Sequence, residues 1–163
     1  MSNNTISDIV TNKLQELIIV GFRVQCPGDQ YAEKIPKAAK EVTERLHEIN
    51  HLVQPIKQIG AFKAAESTDD EDGYWVGFEV TKLEDVPTDM TSLTIPEQTY
   101  AILPYTGQAS GIFGAYAQIH QWNVKNGQER LTNYWSLEIY NDWENPQEVD
   151  VLLCDPVKVS DKI

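Results

Sequence analysis

Residues 133–141 have the sequence NYWSLEIYN, in which two kinds of side chain alternate. In an extended strand, successive side chains point to opposite faces. One face then carries three apolar side chains, Trp135, Leu137 and Ile139. The other face carries a mixed polar and aromatic set, Tyr134, Ser136, Glu138 and Tyr140. The pattern predicts a β-strand with one face in a hydrophobic core and a second face of different chemistry.

The segments around this strand repeat one order of elements twice. Runs rich in Val, Ile and Phe and apolar residues at helical spacing predict a strand, a helix and two strands in each copy. In the second copy they lie at residues 97–105, 109–124, 133–141 and 149–159. In the first copy they lie at residues 14–26, 33–50, 55–64 and 73–83. Gly28 and Gly107 stand at matching corners between strand and helix.

The repeat predicts the fold class. Each copy offers a small sheet with one apolar face and a single helix, and so small a sheet does not bury enough surface alone. We therefore expect an α+β fold of duplicated β-α-β-β units with pseudo-two-fold symmetry. The helices pack on one side of a common antiparallel sheet, and a cleft lies between the repeats. We predict a single domain over residues 1–163, with repeats at about 14–83 and 97–159 and a linker at about 84–96.

The composition excludes several classes of protein. Of the 163 residues, 41% are hydrophobic and 23% are charged, which is typical of a folded domain and not of a disordered or fibrous chain. No apolar run approaches the length of about 20 residues that spans a bilayer, and the N-terminus does not resemble a signal peptide. We therefore expect a cytoplasmic protein without membrane contact. The net charge of −12 argues against direct nucleic-acid binding, which uses clustered Lys and Arg.

Sequence motifs of common catalytic and metal sites are absent. The chain contains no phosphate-binding loop, dinucleotide fingerprint or HExxH motif. Ser110 in the stretch GQASG is one position late for a nucleophile elbow and is better explained as a helix start. The acidic run at residues 69–72 lacks the alternation of a calcium loop and fits a solvated hairpin tip. We predict no catalytic residue, no metal site and no cofactor.

A group of aromatic and acidic side chains stands out from this background. Its candidate members are Glu138, Tyr140, Trp75, Tyr105 and Tyr116. In one alternative there is no pocket: the aromatic rings pack in the core, and Glu138 lies on a surface exposed to solvent. In the other, these side chains face the cleft, and a carboxylate is held among rings. The residues alone leave both alternatives open.

Three stretches resemble a known family: GYWVGFEV at 73–80, IPEQTYAILPYTG at 95–107 and NYWSLEIYN at 133–141. Their order and spacing resemble the GyrI-like small-molecule-binding domain, which is also the effector-binding domain of AraC- and MerR-type bacterial transcription regulators. The resemblance extends from about Leu14 to Val159. It implies a duplicated β-α-β-β fold with a cleft between the copies, in agreement with the repeat.

The resemblance also implies a binding site. In the family, the glutamate of this strand projects into the cleft among aromatic residues and often recognises lipophilic cations. On that basis Glu138 is the electrostatic anchor, and the candidate walls are Trp75, Tyr105, Tyr116 and Tyr140. A carboxylate is costly to bury unless it is paired, so a cationic ligand would satisfy it.

Three functions stand as alternatives. Only about 13 residues precede the first predicted strand, so we expect a stand-alone module without a helix-turn-helix domain, which captures an amphipathic cationic or aromatic small molecule. A second hypothesis is hydrolysis of a reactive small molecule with Glu138 as general acid or base, disfavoured because no nucleophile with an adjacent base is visible. A third is binding to a protein such as gyrase or a regulator subunit. The sequence leaves the oligomeric state open.

Overall fold

The computed structural model describes residues 9–65, 68–69 and 71–159. Within these residues the chain forms nine strands and two α-helices. The strands are β1 (Val10–Leu14), β2 (Leu17–Val24), β3 (Gln58–Lys63), β4 (Tyr74–Val80), β5 (Thr91–Ile95), β6 (Gln98–Gly107), β7 (Gln128–Arg130), β8 (Trp135–Asp142) and β9 (Val149–Val159). The helices are α1 (Tyr31–Glu44) and α2 (Ile112–Lys125).

The strands form one antiparallel sheet in the order β1-β6-β9-β8-β3-β4-β2-β5, and β7 pairs with the far end of β9. The first copy of the repeat is β2-α1-β3-β4, and the second is β6-α2-β8-β9 with the short β7 added. Strands β3 and β8 pair at the centre and join the two copies. The predicted α+β fold, with two helices on one side of an antiparallel sheet, is confirmed.

Several predicted boundaries are corrected. The strand predicted at 14–26 is the shorter β2, which pairs with β4 and β5, and Leu14 instead ends the separate strand β1, which pairs with β6 and was not predicted. The predicted linker at 84–96 contains β5, which pairs with β2 at the edge of the sheet. The helix predicted to reach residue 50 ends at Glu44. Its apolar periodicity continues because Leu46 and Ile49, in and after a 3-10 turn, still pack on the same core.

The sheet curls so that its two ends approach each other. The β1–β2 connection links opposite ends of the strand order, yet Leu14 and Leu17 are only three residues apart. The β5–β6 connection from Ile95 to Gln98 has the same length and the same effect. Three residues span at most about 11 Å. The face turned away from the helices is therefore enclosed, and it holds a core that includes Ile59, Trp75, Tyr100, Trp135, Leu137 and Cys154.

The two helices cover the other face at separate places. Helix α1 contacts β2 and β4, and helix α2 contacts β6 and β7. Each has its own apolar cluster, around Val42 and Phe78 under α1 and around Ile119 and Leu153 under α2. The central strands β3 and β8 thus lie below the seam between the helices. In the described part of the chain, neither helix has the length and apolar character needed to cross a membrane.

Candidate functional site

Strand β8 places Glu138 on the helix-facing side of the sheet, in the seam between α1 and α2. Glu138 lies opposite Gly60 on β3 and Leu153 on β9, so paired strands hold its backbone on both sides. Its side chain is only 8% exposed. The carboxylate is therefore a buried group on a rigid part of the fold.

Three tyrosine hydroxyl groups donate hydrogen bonds to this carboxylate. The Tyr74 hydroxyl lies 2.6 Å from Oε1, and the Tyr116 hydroxyl lies 2.8 Å from Oε2. The Tyr140 hydroxyl is a longer donor, at 3.5 Å from Oε1. Tyr74 comes from β4, Tyr116 from α2 and Tyr140 from β8, so both copies of the repeat contribute to the site.

Gly60 allows the Tyr74 side chain to reach Glu138 across an intervening strand. Tyr74 lies on β4, and its ring passes over β3 at Gly60 to reach β8. A Cβ atom at position 60 would lie 1.8 Å from the Tyr74 hydroxyl oxygen, so any side chain there would clash with Tyr74 in its present position. A glycine inside a strand often marks such a close approach. Gly60 is therefore part of the architecture of the site.

Phe62 completes the ring system around the carboxylate. Its ring stacks on Tyr74 with centroids 5.9 Å apart and meets Tyr116 edge-on at 6.3 Å. Both distances are typical of favourable aromatic pairs. We refer to Glu138, Tyr74, Tyr116, Tyr140 and Phe62 as the Glu138 cluster.

The electrostatics of the Glu138 cluster are dominated by burial. Loss of water raises the pKa of Glu138 above its ordinary value, and the three tyrosine hydroxyl groups only partly oppose this by stabilising the charged form. Among the described residues, the partners of the carboxylate are these hydroxyl groups, and no Lys, Arg or His forms an ion pair with it. A negative charge at this position is therefore uncompensated.

The tyrosines remain donors at neutral pH. Burial is the main reason that the pKa values of Tyr74, Tyr116 and Tyr140 are raised, and the nearby Glu138 charge raises them further. A neutral phenol donates one hydrogen bond and has no charge of its own to neutralise the carboxylate. The cluster can therefore orient a carboxylate without cancelling its charge.

Of the residues expected from the sequence, Tyr116 and Tyr140 lie with Glu138, but Trp75 does not. Ala61 on β3 lies opposite both Trp75 and Leu137, which places Trp75 on the enclosed face of the sheet. There its ring packs edge-on against Trp135 at 5.2 Å, and the Arg23 guanidinium lies 4.6 Å above it. The expectation that Trp75 forms a wall beside Glu138 is corrected.

Tyr105 borders the Glu138 cluster without joining its hydrogen bonds. It shares a row across the sheet with Tyr140, and Val151 lies between them. Its hydroxyl donates to the carbonyl oxygen of Gln108 at 2.6 Å, which turns it toward the start of α2. Tyr105 is thus a neighbour of the site and supports the corner from which α2 begins.

Tyr74, Phe62 and Gly60 belong to the site but are not predicted from the sequence. A signal existed for each, because Gly60 and Phe62 share one face of β3 and Tyr74 alternates with Trp75 on β4. Which face meets Glu138 depends on the pairing of β4 with β3 and of β3 with β8, and a shift of one residue reverses it.

In the seam between the repeats, where the cleft is expected, aromatic side chains cover the carboxylate of Glu138. Glu138 is only 8% exposed, and it does not line two cavities of about 220 Å³ and about 360 Å³ found elsewhere among the described residues. Tyr116 covers the carboxylate from the α2 side, and Tyr74 and Phe62 cover it from the β3–β4 side. The carboxylate is therefore largely shielded from solvent by aromatic rings.

The fold agrees with the result of a comparison against protein families. The model of the GyrI-like small molecule binding domain matches residues 7–158. The chain belongs to the GyrI-like family. The match spans both copies of the repeat and every element of the site, so small-molecule binding is the property that this GyrI-like chain shares with its relatives. No curated protein matches the sequence.

Solved structures share the fold of this GyrI-like chain at low sequence identity. The structure titled EcmrR C-terminal domain is 19% identical, with a TM-score of 0.67, and the alignment covers 93% of this chain and 98% of that one. The EcmrR chain in a complex with DNA is 18% identical with a TM-score of 0.66. That alignment covers 93% of this chain but only 57% of the EcmrR chain. SAV2435 bound to tetraphenylphosphonium is 13% identical, with a TM-score of 0.70 and coverage of 92% and 93%. The TM-scores establish a common fold despite the low sequence identity.

Proposed function

We propose that this protein binds an amphipathic cation with aromatic groups at the Glu138 cluster, and that Glu138 supplies the charge that the ligand neutralises. The observation that carries the proposal is a buried carboxylate with three hydroxyl donors and no cationic partner among the described residues. Burying a charge without a counter-charge costs several kcal/mol. A bound cation would remove that cost, whereas an anion would increase it.

The rings of the Glu138 cluster favour the same class of ligand. The faces of Phe62, Tyr74 and Tyr116 carry partial negative charge, and each contact with a cation contributes about 0.5–2 kcal/mol. Aromatic groups on the ligand would replace the ring contacts that its entry disrupts. A bulky aromatic cation therefore fits the cluster better than a small hydrated ion does.

Entry of the ligand requires movement of Tyr116. This side chain is only half-buried, and it belongs to α2, which lies on the outside of the sheet. Tyr74 and Tyr140 lie on strands whose backbones are paired on both sides. Displacing Tyr116 would expose Oε2 of Glu138 and leave Oε1 held by the other two hydroxyl groups. The binding step is therefore an exchange of one tyrosine for the ligand.

Tetraphenylphosphonium, the ligand in the SAV2435 structure, is a suitable probe because it carries one charge and four phenyl groups. We expect measurable binding by isothermal titration calorimetry, and we expect Glu138→Gln to weaken it about tenfold or more. Glu148→Gln, an equal charge change at an exposed position, is the matched control and should leave the affinity unchanged.

Tetraphenylborate has the same shape and the opposite charge, and should not bind at the cluster. Equal affinity of the wild-type protein for both ions would contradict the role of Glu138. So would an affinity for tetraphenylphosphonium that is the same in the wild-type protein and in Glu138→Gln.

Other expectations from the sequence stay predictions. Hydrolysis with Glu138 as general acid or base would appear as product in excess of the protein concentration, and would be lost in Glu138→Gln. Binding to gyrase or to a regulator subunit would require a surface of its own. The cytoplasmic location and the lack of nucleic-acid binding also stay predictions.

A further inference from the structure

The cavity of about 360 Å³ lies on the enclosed face of the sheet, on the side opposite the Glu138 cluster. Its walls come from the β1–β2 connection, from the segment before β3 and from the central strands. Most of the lining is apolar and includes Leu17, Ile59, Ile139 and Leu152. Its volume lies within the range of small-molecule sites, about 300–1,000 Å³.

Two carboxylates line this cavity, those of the exposed Glu16 and of Glu79. Glu79 is half-buried on β4, and its side chain has no hydrogen bond and no ion pair among the described residues. Burial raises the pKa of Glu79, and the nearby charge of Lys57 opposes the rise. The β3–β4 register pairs Gln58 with Phe78, so one step further it places Lys57 opposite Glu79. Lys57 is near enough for its charge to affect the pKa of Glu79, but among the described residues it forms no ion pair with that carboxylate.

The charges around the cavity favour a monocation. Glu79, Glu16 and Lys57 all line it, so the cavity carries one negative charge in excess. The whole chain carries −12, which adds a weak attraction for cations at longer range. Gln15 and Gln54 add polar groups to the lining, but the walls formed by Ile59, Ile139 and Leu152 have no polar side-chain atoms, so the part of the ligand that contacts them should be apolar.

We propose that this cavity is a second binding site, in which Glu79 pairs with the ammonium group of a small arylalkyl amine while Ile59, Ile139 and Leu152 contact its apolar body. An engineered cavity of about 150 Å³ holds benzene, so the volume here accommodates a ring and a short alkylamine chain. The site is independent of the Glu138 cluster. Glu79 and Glu138 project from opposite faces of the sheet, because Glu79 shares the face of Trp75.

The probe is 2-phenylethylamine, which is cationic at neutral pH, and 2-phenylethanol is its neutral analogue. Binding is followed by the methyl NMR signals of the full chain, with Ile59 and Ile139 reporting on the cavity and Ile119 reporting on the core beneath α2. We expect the amine to shift Ile59 and Ile139, and we expect Glu79→Gln to weaken its binding about tenfold. Glu138→Gln and Glu148→Gln should leave this affinity unchanged.

A second variant tests the cavity without altering the carboxylate. Val53 lines the cavity from the loop before β3, and Val53→Trp should fill the space and abolish binding of the amine. Three results would each overturn the proposal: no shift of Ile59 or Ile139, equal affinities for the amine and the alcohol, or an affinity that Glu79→Gln does not change. A shift confined to Ile119 and lost in Glu138→Gln would assign the amine to the Glu138 cluster instead.

Discussion

Glu138 occupies an environment that is unfavourable for its own charge. Burial raises its pKa, while Tyr74, Tyr116 and Tyr140 offer hydrogen bonds that favour the charged form. Proteins retain such conflicts mainly where a function needs them, because an apolar or amide side chain at the same place would be more stable. The conflict therefore has a measurable consequence for stability.

The wild-type protein should lose stability relative to Glu138→Gln as the pH rises. Because the folded state holds the Glu138 proton to a higher pH than the unfolded chain, this group stabilises the fold below its ordinary pKa of 4.5 and loses that contribution as pH rises through the folded value. A glutamine has no proton to lose and still offers an oxygen to Tyr74. Urea unfolding of both proteins between about pH 5 and about pH 8 tests this. A difference in stability that stays constant over this range would show that the pKa of Glu138 is the same in the folded and the unfolded state.

Gly60→Ala should destabilise the protein by about 1–3 kcal/mol, because the added methyl group overlaps the ring of Tyr74. Tyr74 would lose both its stacking on Phe62 and its hydrogen bond to Glu138. In a Tyr74→Leu background the same substitution should cost less, and this coupling is measured by a double-mutant cycle in urea. Gly28→Ala is the control, since a Cβ there meets no atom within 4 Å. Equal costs of Gly60→Ala in both backgrounds would refute the packing argument.

Helix α2 carries the tyrosine that covers Glu138, yet much of its surface is exposed. Phe113 is 90% exposed and Val124 is 81% exposed, while Ala115, Ile119 and Asn123 hold the helix on the sheet. Gly114 lies in the first turns of α2, where a Cβ would meet nothing within 4 Å. A glycine at an exposed helix position lowers helix stability without a packing reason.

Gly114→Ala should therefore stabilise the protein by about 0.5–1 kcal/mol, because alanine has less backbone entropy to lose on folding. Ala117→Gly, an exposed position one turn further along α2, is the matched reverse substitution and should cost a similar amount. Both are measured by urea unfolding. A destabilising Gly114→Ala would mean that this position needs a conformation or a contact that the described backbone does not show.

Strand positions could be predicted from the sequence more easily than the faces that matter for binding. The alternation in β8 correctly separates Trp135 and Leu137 from Glu138, because both faces belong to one strand. Whether Tyr74 or Trp75 shares the face of Glu138 depends on the pairing through β3, which places Gly60 opposite Glu138 and Ala61 opposite Trp75. The strand β5 was missed because a short edge strand has only one partner and a weak pattern. Pairing of distant segments is information that local periodicity does not contain.

The whole molecule is built from two copies of one unit, but the site is not symmetric. The first copy supplies Tyr74, Phe62 and the space at Gly60, whereas the second supplies Glu138 with Tyr116 and Tyr140. These groups meet where β3 and β8 join the copies. A ligand at the Glu138 cluster would therefore contact both copies, and its binding energy would add to the stability of the entire fold.

The net charge of −12 and the buried charge of Glu138 should respond differently to salt. Attraction between a cation and charges on the surface is screened over about 10 Å at 0.1 M salt, whereas a contact inside the protein is screened much less. We expect the affinity for tetraphenylphosphonium to fall with salt in both the wild-type protein and Glu138→Gln. The ratio of their affinities should stay constant between about 0.02 M and about 0.5 M salt. If salt removes the difference between the two proteins, the ligand meets Glu138 through solvent, and direct contact inside the seam is refuted.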